Sequence, residues 1–276
     1  MERIEERIAL DSALSDALRD NVAEYLTGGP YDLQLGSETT TTTVETEICT
    51  ATYPQRCHTT EIEIPSEGWE WNDDNPFGSL DWSGVHTGPK NGVLISPDIL
   101  VSATHMGSMQ IFGRPITFHS PDGESYDRDA VAYIDVPGSG DIRINLLNEP
   151  LPDDIHTVAL PDPRFSLDDL YDTLILSLTW EDTSHVNKVR VGRNDQNVPY
   201  IVGRADAEYV ELFEAPSGGD SGSGIFFIDE GSLVVASTLH NGTRRTLSGP
   251  YLGSPEIQQG ITEAIDQLGG QQRPMG

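Results

Sequence analysis

Lysine is almost missing from this chain. Only Lys90 and Lys188 carry it among 276 residues, and Lys plus Arg total 16 against 45 Asp plus Glu, a formal charge of −29. A surface of that sign repels phosphate backbones and anionic headgroups, whose capture needs clustered Lys or Arg. No nucleic-acid or membrane partner is therefore expected. The charge serves solubility, or adaptation to high salt, where ions screen self-repulsion; composition leaves both open.

Long hydrophobic runs are missing too. No stretch of eighteen apolar residues exists, so no membrane-spanning helix is expected. The first twenty residues, MERIEERIALDSALSDALRD, are charged and amphipathic and lack the apolar segment of a secretory signal. The expected compartment is cytoplasmic as the chain is written, or extracellular if a leader was removed. Cysteine is scarce: Cys49 and Cys57 are too few for a four-cysteine zinc site. They close a small disulfide loop, implying an oxidising compartment, or remain two thiols. His58, His86, His119, His156 and His185 follow no metal spacing, so no metal or cofactor is expected. Asp122, Asp127 and Asp129 are acidic loop residues, with a calcium site as the alternative reading. Neither GxxxxGK[ST] nor GxGxxG occurs, which leaves nucleotide chemistry without support.

What is present divides at about residue 80. Residues 1–80 read as an N-terminal extension. A helix is expected over about 2–27, where Leu10, Leu14, Leu18 and Val22 recur at four-residue spacing and Gly28, Gly29 and Pro30 stop it. A low-complexity, extended segment follows at 37–47, and the cysteine-containing segment 48–80 yields no assignment. The extension is a stabilising addition, an inhibitory pro-segment or a docking element.

From 81 to 270 the texture is β. Short runs rich in Val, Ile, Leu and aromatics alternate with Gly, Pro, Asp and Asn: GVLISP, ILVSAT, QIFGRPITFHS, AVAYIDV, DIRINLL, TLILSLTW, KVRVGR, PYIVGR, YVELFEA, GIFFID and SLVVAST. An all-β architecture is expected, with room for two six-stranded antiparallel barrels, one over about 84–160 and one over about 170–252. Strands do not alternate with helices, so a doubly wound sheet is not expected. The C-terminal helix, 254–268, has Ser254 as N-cap, Pro255 at the first helical position and an apolar face of Ile257, Ile261, Ile265 and Leu268. Gly269 and Gly270 end it, and it is expected to pack on the second barrel.

Three segments carry chemistry. EAPSGGDSGSGIFF, residues 214–227, crowds glycines around Ser221 just before an apolar strand. Glycine is costly unless the chain must turn sharply or approach something closely. NGVLISPDILVSATHM runs from one apolar strand through a Pro-Asp turn into a second and ends on His105. PGSGDIRINLLNEPLP opens an apolar strand on Asp141. A nucleophilic serine needs a base for its proton, a carboxylate to hold the base, and backbone N–H groups for the developing oxyanion. The candidates occur in the order His, Asp, Ser, separated by 36 and then 80 residues.

These segments resemble those of the chymotrypsin-like (trypsin-like) serine proteases. ISPDILVSATHM is similar to the strand pair that ends on the family's histidine, DIRINLLNEPLP to its aspartate strand, and GGDSGSGIFF to its GDSGGP loop. The resemblance covers about residues 84–268. It implies a serine endopeptidase acting on a protein or peptide substrate through an acyl-enzyme, with His105 as general base, Asp141 as orienting carboxylate and Ser221 as nucleophile. It also implies an oxyanion hole of the Gly219 and Ser221 N–H groups. A catalytically silent scaffold and an esterase on the same fold are the alternatives.

The match has departures. Met106 stands where many relatives carry a disulfide cysteine, Thr104 replaces an alanine, and Ser223-Gly224 replaces Gly-Pro. No Arg/Lys-Ile-Val-Gly-Gly activation site precedes the first barrel region, so Asp220 needs an Arg or backbone N–H partner rather than a freed amino terminus. Ala215, six residues before Ser221, implies an S1 pocket without a carboxylate and hence no trypsin specificity. His240 resembles the S1 histidine of glutamyl endopeptidases; the other reading is a strand histidine facing solvent.

Overall fold

The computed structural model describes residues 16–26, 31–39, 42–49, 57–64, 68–86, 92–106, 115–179, 182–193, 197–205, 207–217 and 219–269, with backbone alone at 39, 42–49 and 57–64. Of the expected N-terminal helix, residues 16–25 are helical (α1), and 2–15 lie outside the described residues. Leu18 and Val22 of α1 are buried, and the Asn21 side chain donates to the Ile228 carbonyl (2.9 Å). The extension then forms two small antiparallel ladders, β1 (Gly36–Thr39) with β4 (Gly68–Trp71), and β2 (Thr42–Cys49) with β3 (Cys57–Ile64). The second ladder ends with Cys49 opposite Cys57. Asn75 ties this region down: its side-chain amide donates to the Leu33 carbonyl (3.0 Å) and to Ser184 Oγ (3.1 Å).

The β-rich remainder is as the alternation of apolar runs and turn residues requires. Strands β5 (Val93–Ser96), β6 (Ile99–Ala103), β9 (Ala130–Asp135) and β10 (Ile142–Leu147) form a four-stranded antiparallel sheet in the order β5-β6-β10-β9. All five residues of β6 are buried, which explains its unbroken apolar run. Strands β7 (Ile116–His119) and β8 (Ser125–Arg128) make a separate hairpin. The second half supplies β11 (Leu174–Leu178), β12 (Ser184–Arg193), β13 (Pro199–Arg204), β14 (Gly224–Asp229), β15 (Ser232–Thr238), β16 (Asn241–Thr243) and β17 (Thr246–Pro250). These form one antiparallel sheet in the order β15-β14-β11-β12-β13-β17-β16.

The ladders do not draw two closed barrels. Six strands fall within 84–160, but as a four-stranded sheet plus a hairpin. Seven fall within 170–252, in one sheet whose ends are unpaired by any ladder among the described residues. A β-bulge between Ile225 and Phe226 and the natural twist of the strands curl this sheet. Its first strand, β15, thereby meets the chain just past β17, where Leu252 N–H donates to the Ala236 carbonyl (2.9 Å). The approach is close enough that a Cβ on Gly249 would lie 1.9 Å from the Thr238 carbonyl oxygen.

One further expectation is corrected. YVELFEA is not a strand. Residues Val210–Leu212 form a 3₁₀ turn in which Leu212 N–H donates to the Tyr209 carbonyl (2.9 Å), so local bonds replace a ladder. The C-terminal helix α2 (Pro255–Leu268) starts after Ser254 and ends on left-handed Gly269 (φ 73°), as its sequence required. Its main contacts are with β9 and β10. Ile257, Ile261, Ala264 and Ile265 join Val136, Ile142 and Leu252 in one cluster. Burial of each isoleucine contributes about 1.5–3 kcal/mol. That cluster also takes in Val101, Phe226 and Val235 and so spans both halves of the β region, beside a second cluster around Ile225 and Phe227 and a third around Leu100 and Phe118.

Candidate active site

Backbone register brings the candidate residues together. Strands β6 and β10 run antiparallel with Ala103 opposite Ile142. The residue after one and the residue before the other are then neighbours, and Thr104 N–H donates to the Asp141 carbonyl (3.3 Å). His105 follows in a 3₁₀ turn at Thr104–Met106. Its own N–H donates to Asp141 Oδ1 (2.8 Å), and its Nδ1 lies 2.7 Å from Asp141 Oδ2. Asp141 is buried, whereas the His105 side chain is about one-third exposed (37%).

The second sheet supplies the other half. Gly224 of β14 faces Thr238 of β15. The pairing continues past the strand ends, with Leu239 N–H to the Ser223 carbonyl (2.8 Å) and Gly222 N–H to the Leu239 carbonyl (2.9 Å). Gly222 adopts φ 83°, a left-handed conformation that favours glycine. Ser221 projects from this turn, and its Oγ lies 2.7 Å from His105 Nε2. His105, Asp141 and Ser221 are thus connected in one hydrogen-bonded row.

The electrostatics match the geometry. The hydrogen bond to Asp141 raises the His105 pKa above its ordinary value, outweighing the opposing effect of burial. Burial pushes Asp141 upward, but hydrogen bonds from the His105 ring, the His240 ring and the His105 N–H hold it below the usual carboxylate range. Asp141 is therefore an ionised acceptor at neutral pH. Both nearby Nδ1 atoms must carry protons, which leaves His105 Nε2 as an acceptor for the Ser221 hydroxyl proton.

The loop before Ser221 holds the other anticipated residues. Gly219 N–H points at Ser217 Oγ (3.4 Å), at the long limit of a hydrogen bond. Buried Asp220 accepts from the Ser217 N–H, a backbone partner of the kind its burial requires. Ala215 is exposed, and Gly218 lies outside the described residues. Asp127 Oδ1 accepts from Thr117 Oγ1 (2.7 Å), and no three-residue metal-capable group includes Asp122, Asp127 or Asp129 among the described residues.

His240 is where the structure departs most from the sequence reading. Its Nδ1 lies 2.6 Å from Asp141 Oδ2, the oxygen that His105 Nδ1 also engages. The ring stands edge-on to His105, with centroids 5.3 Å apart. Its Nδ1 edge is thus taken by Asp141, while the side chain keeps 35% of its exposure. His105, Asp141 and His240 form the one three-residue group able to hold a metal ion among the described residues, with ligand atoms all within 4.8 Å. The separations of 2.6 and 2.7 Å are those of hydrogen bonds. Sequence reasoning missed this contact. The available signal was the distance of His240 from Ser221 across the β14–β15 pair, which places the two on adjoining strand ends.

No protein-family model matches the chain, and no curated protein matches it.

Proposed function

We propose that this protein is a serine hydrolase of the chymotrypsin-like class, an endopeptidase acting through His105, Asp141 and Ser221. The observation that carries the reading is the unbroken row of hydrogen bonds from Asp141 Oδ2 through the His105 ring to Ser221 Oγ, each 2.7 Å. A neutral imidazole held by a carboxylate on one edge and facing a hydroxyl on the other is built to remove that hydroxyl's proton. Support for a barrel-pair architecture comes from the six strands of the first half and from the curl that brings β15 against β17.

The steps follow from the atoms. Ser221 Oγ attacks the carbonyl carbon of the substrate while its proton passes to His105 Nε2. Asp141 stabilises the imidazolium. The carbonyl oxygen becomes an oxyanion, received by backbone N–H groups at Gly219 and Ser221. Gly219 N–H must leave its long contact with Ser217 Oγ to do this. The imidazolium then protonates the leaving amine, and water repeats the sequence on the acyl-enzyme. Ala215 offers no charge to a basic P1 side chain, so a small or medium apolar P1 is favoured. Because Asp141 raises the His105 pKa, activity rises as pH climbs through that pKa and the imidazole becomes neutral.

Labelling with a fluorophosphonate probe tests the reading. The native protein should be labelled on Ser221, mapped by peptide mass, and Ser221→Ala and His105→Ala should abolish labelling. Labelling no stronger than in heat-denatured protein, or unchanged in either variant, overturns the proposal.

A further inference from the structure

The catalytic reading uses one imidazole, yet two meet Asp141. His240 Nδ1 approaches Oδ2 at 2.6 Å, as close as His105 Nδ1 at 2.7 Å, while Oδ1 takes the His105 N–H at 2.8 Å. Among the described residues the buried carboxylate thus has three donors, and His240 supplies the one that does not come from His105. Without it, the carboxylate would be oriented solely by the residue it is meant to orient. His240 is itself fixed from two sides. Its N–H donates to the Ser248 carbonyl (2.8 Å), and its ring lies edge-on between His105 and Tyr200, with centroids at 5.3 and 5.9 Å.

We infer that His240 is a positioning residue for the candidate triad: as an Nδ1–H donor from the opposite sheet, it locks the Asp141 carboxylate against His105. This inference rests on the proposed hydrolase reading. It replaces a role in P1 recognition for the Nδ1 edge of His240 with a role one bond removed from the reacting atoms. An acceptor-only carboxylate requires the Nδ1–H tautomer of His240, the minority form for a free histidine side chain. The titratable groups around the ring are Asp141, His105 and Tyr200.

The test combines two variants with one spectrum. His240→Leu keeps bulk without a donor. His240→Asn places an amide N–H near the position of Nδ1. Rates of fluorophosphonate inactivation are measured as a limiting rate and a half-saturating concentration. His240→Leu should lower the limiting rate about 10- to 100-fold, the range for loss of one hydrogen bond to a charged group. The half-saturating concentration should stay within about twofold. His240→Asn should recover most of the loss. In the native protein, imidazole ¹⁵N shifts above the pKa of both rings should show protonated Nδ1 and bare Nε2 for His240. Native-like inactivation of His240→Leu, equal impairment of Leu and Asn, or an Nε2–H His240 would overturn the inference. If the leucine variant does not fold, the tautomer decides alone. Failure of the native protein to react at all instead removes the hydrolase reading, which separates the two outcomes.

Discussion

Replacing Asp141 by Asn changes one atom, and the geometry shows why the change should be severe. Asp141 Oδ2 accepts from two imidazoles and Oδ1 accepts from the His105 N–H. An asparagine has one acceptor. If its oxygen takes the Oδ1 position, its NH₂ faces both Nδ1 atoms and forces His105 into the Nε2–H tautomer, which cannot accept the Ser221 proton. If its oxygen takes the Oδ2 position, the NH₂ opposes a buried N–H, and no charge remains to stabilise the imidazolium. Two unit charges about 3–4 Å apart at an effective dielectric near 20 attract by roughly 4–6 kcal/mol. At 1.36 kcal/mol per tenfold in rate, losing that attraction predicts a fall of about 10³- to 10⁴-fold. The same exchange in the well-studied trypsin-type triad costs about 10⁴-fold. The assay is the fluorophosphonate inactivation rate near pH 8, with circular dichroism and thermal melting to establish that the variant is folded. A folded Asp141→Asn protein reacting within tenfold of the native rate would refute the reasoning.

Two predictions concern stability. Burial lowers His119 to a pKa of about 4, below the unfolded value of 6.5. Its contribution is complete above pH 6.5 and is lost as pH falls toward 4, amounting to about 2 kcal/mol at pH 5. Carboxylate protonation relieves some self-repulsion of the acidic surface and partly offsets this. The urea midpoint should fall between pH 7 and 5, and fall less in His119→Phe, which keeps the stack on Trp69 (centroids 4.2 Å, 10° apart); equal slopes would contradict the assignment. Gly249→Ala should destabilise by at least about 2 kcal/mol, because its methyl group must displace the Thr238 carbonyl oxygen from 1.9 Å; an unchanged urea midpoint would show that β15 and β17 are not so closely apposed.

The legible parts of the sequence were those where local rules and global fold agree. Apolar runs bounded by turn residues marked most strands of the β region, and Ser254, Pro255 and Gly269 bracketed α2 closely. His105, Asp141 and Ser221 were legible because each sits at the end of a strand whose pattern is strong. What failed depended on pairing. YVELFEA has a strand-like composition but joins no ladder among the described residues, and local hydrogen bonds hold it instead. Ser125–Arg128 (SYDR) became a strand only because Ile116–His119 offers it a ladder. The His240–Asp141 contact depends on how two sheets dock, and no local pattern around His240 records that.

The docking has a consequence for when the site exists at all. His105 and Asp141 are neighbours as soon as β6 and β10 pair, and Ser221 and His240 lie on adjoining ends of β14 and β15. Neither pair spans the seam. The two bonds that complete the row, Ser221 to His105 and His240 to Asp141, both cross it. Reactivity should therefore emerge only at the last stage of assembly, after each half has built its own share. On the proposed hydrolase reading, a chain that has folded only one half would hold no complete row.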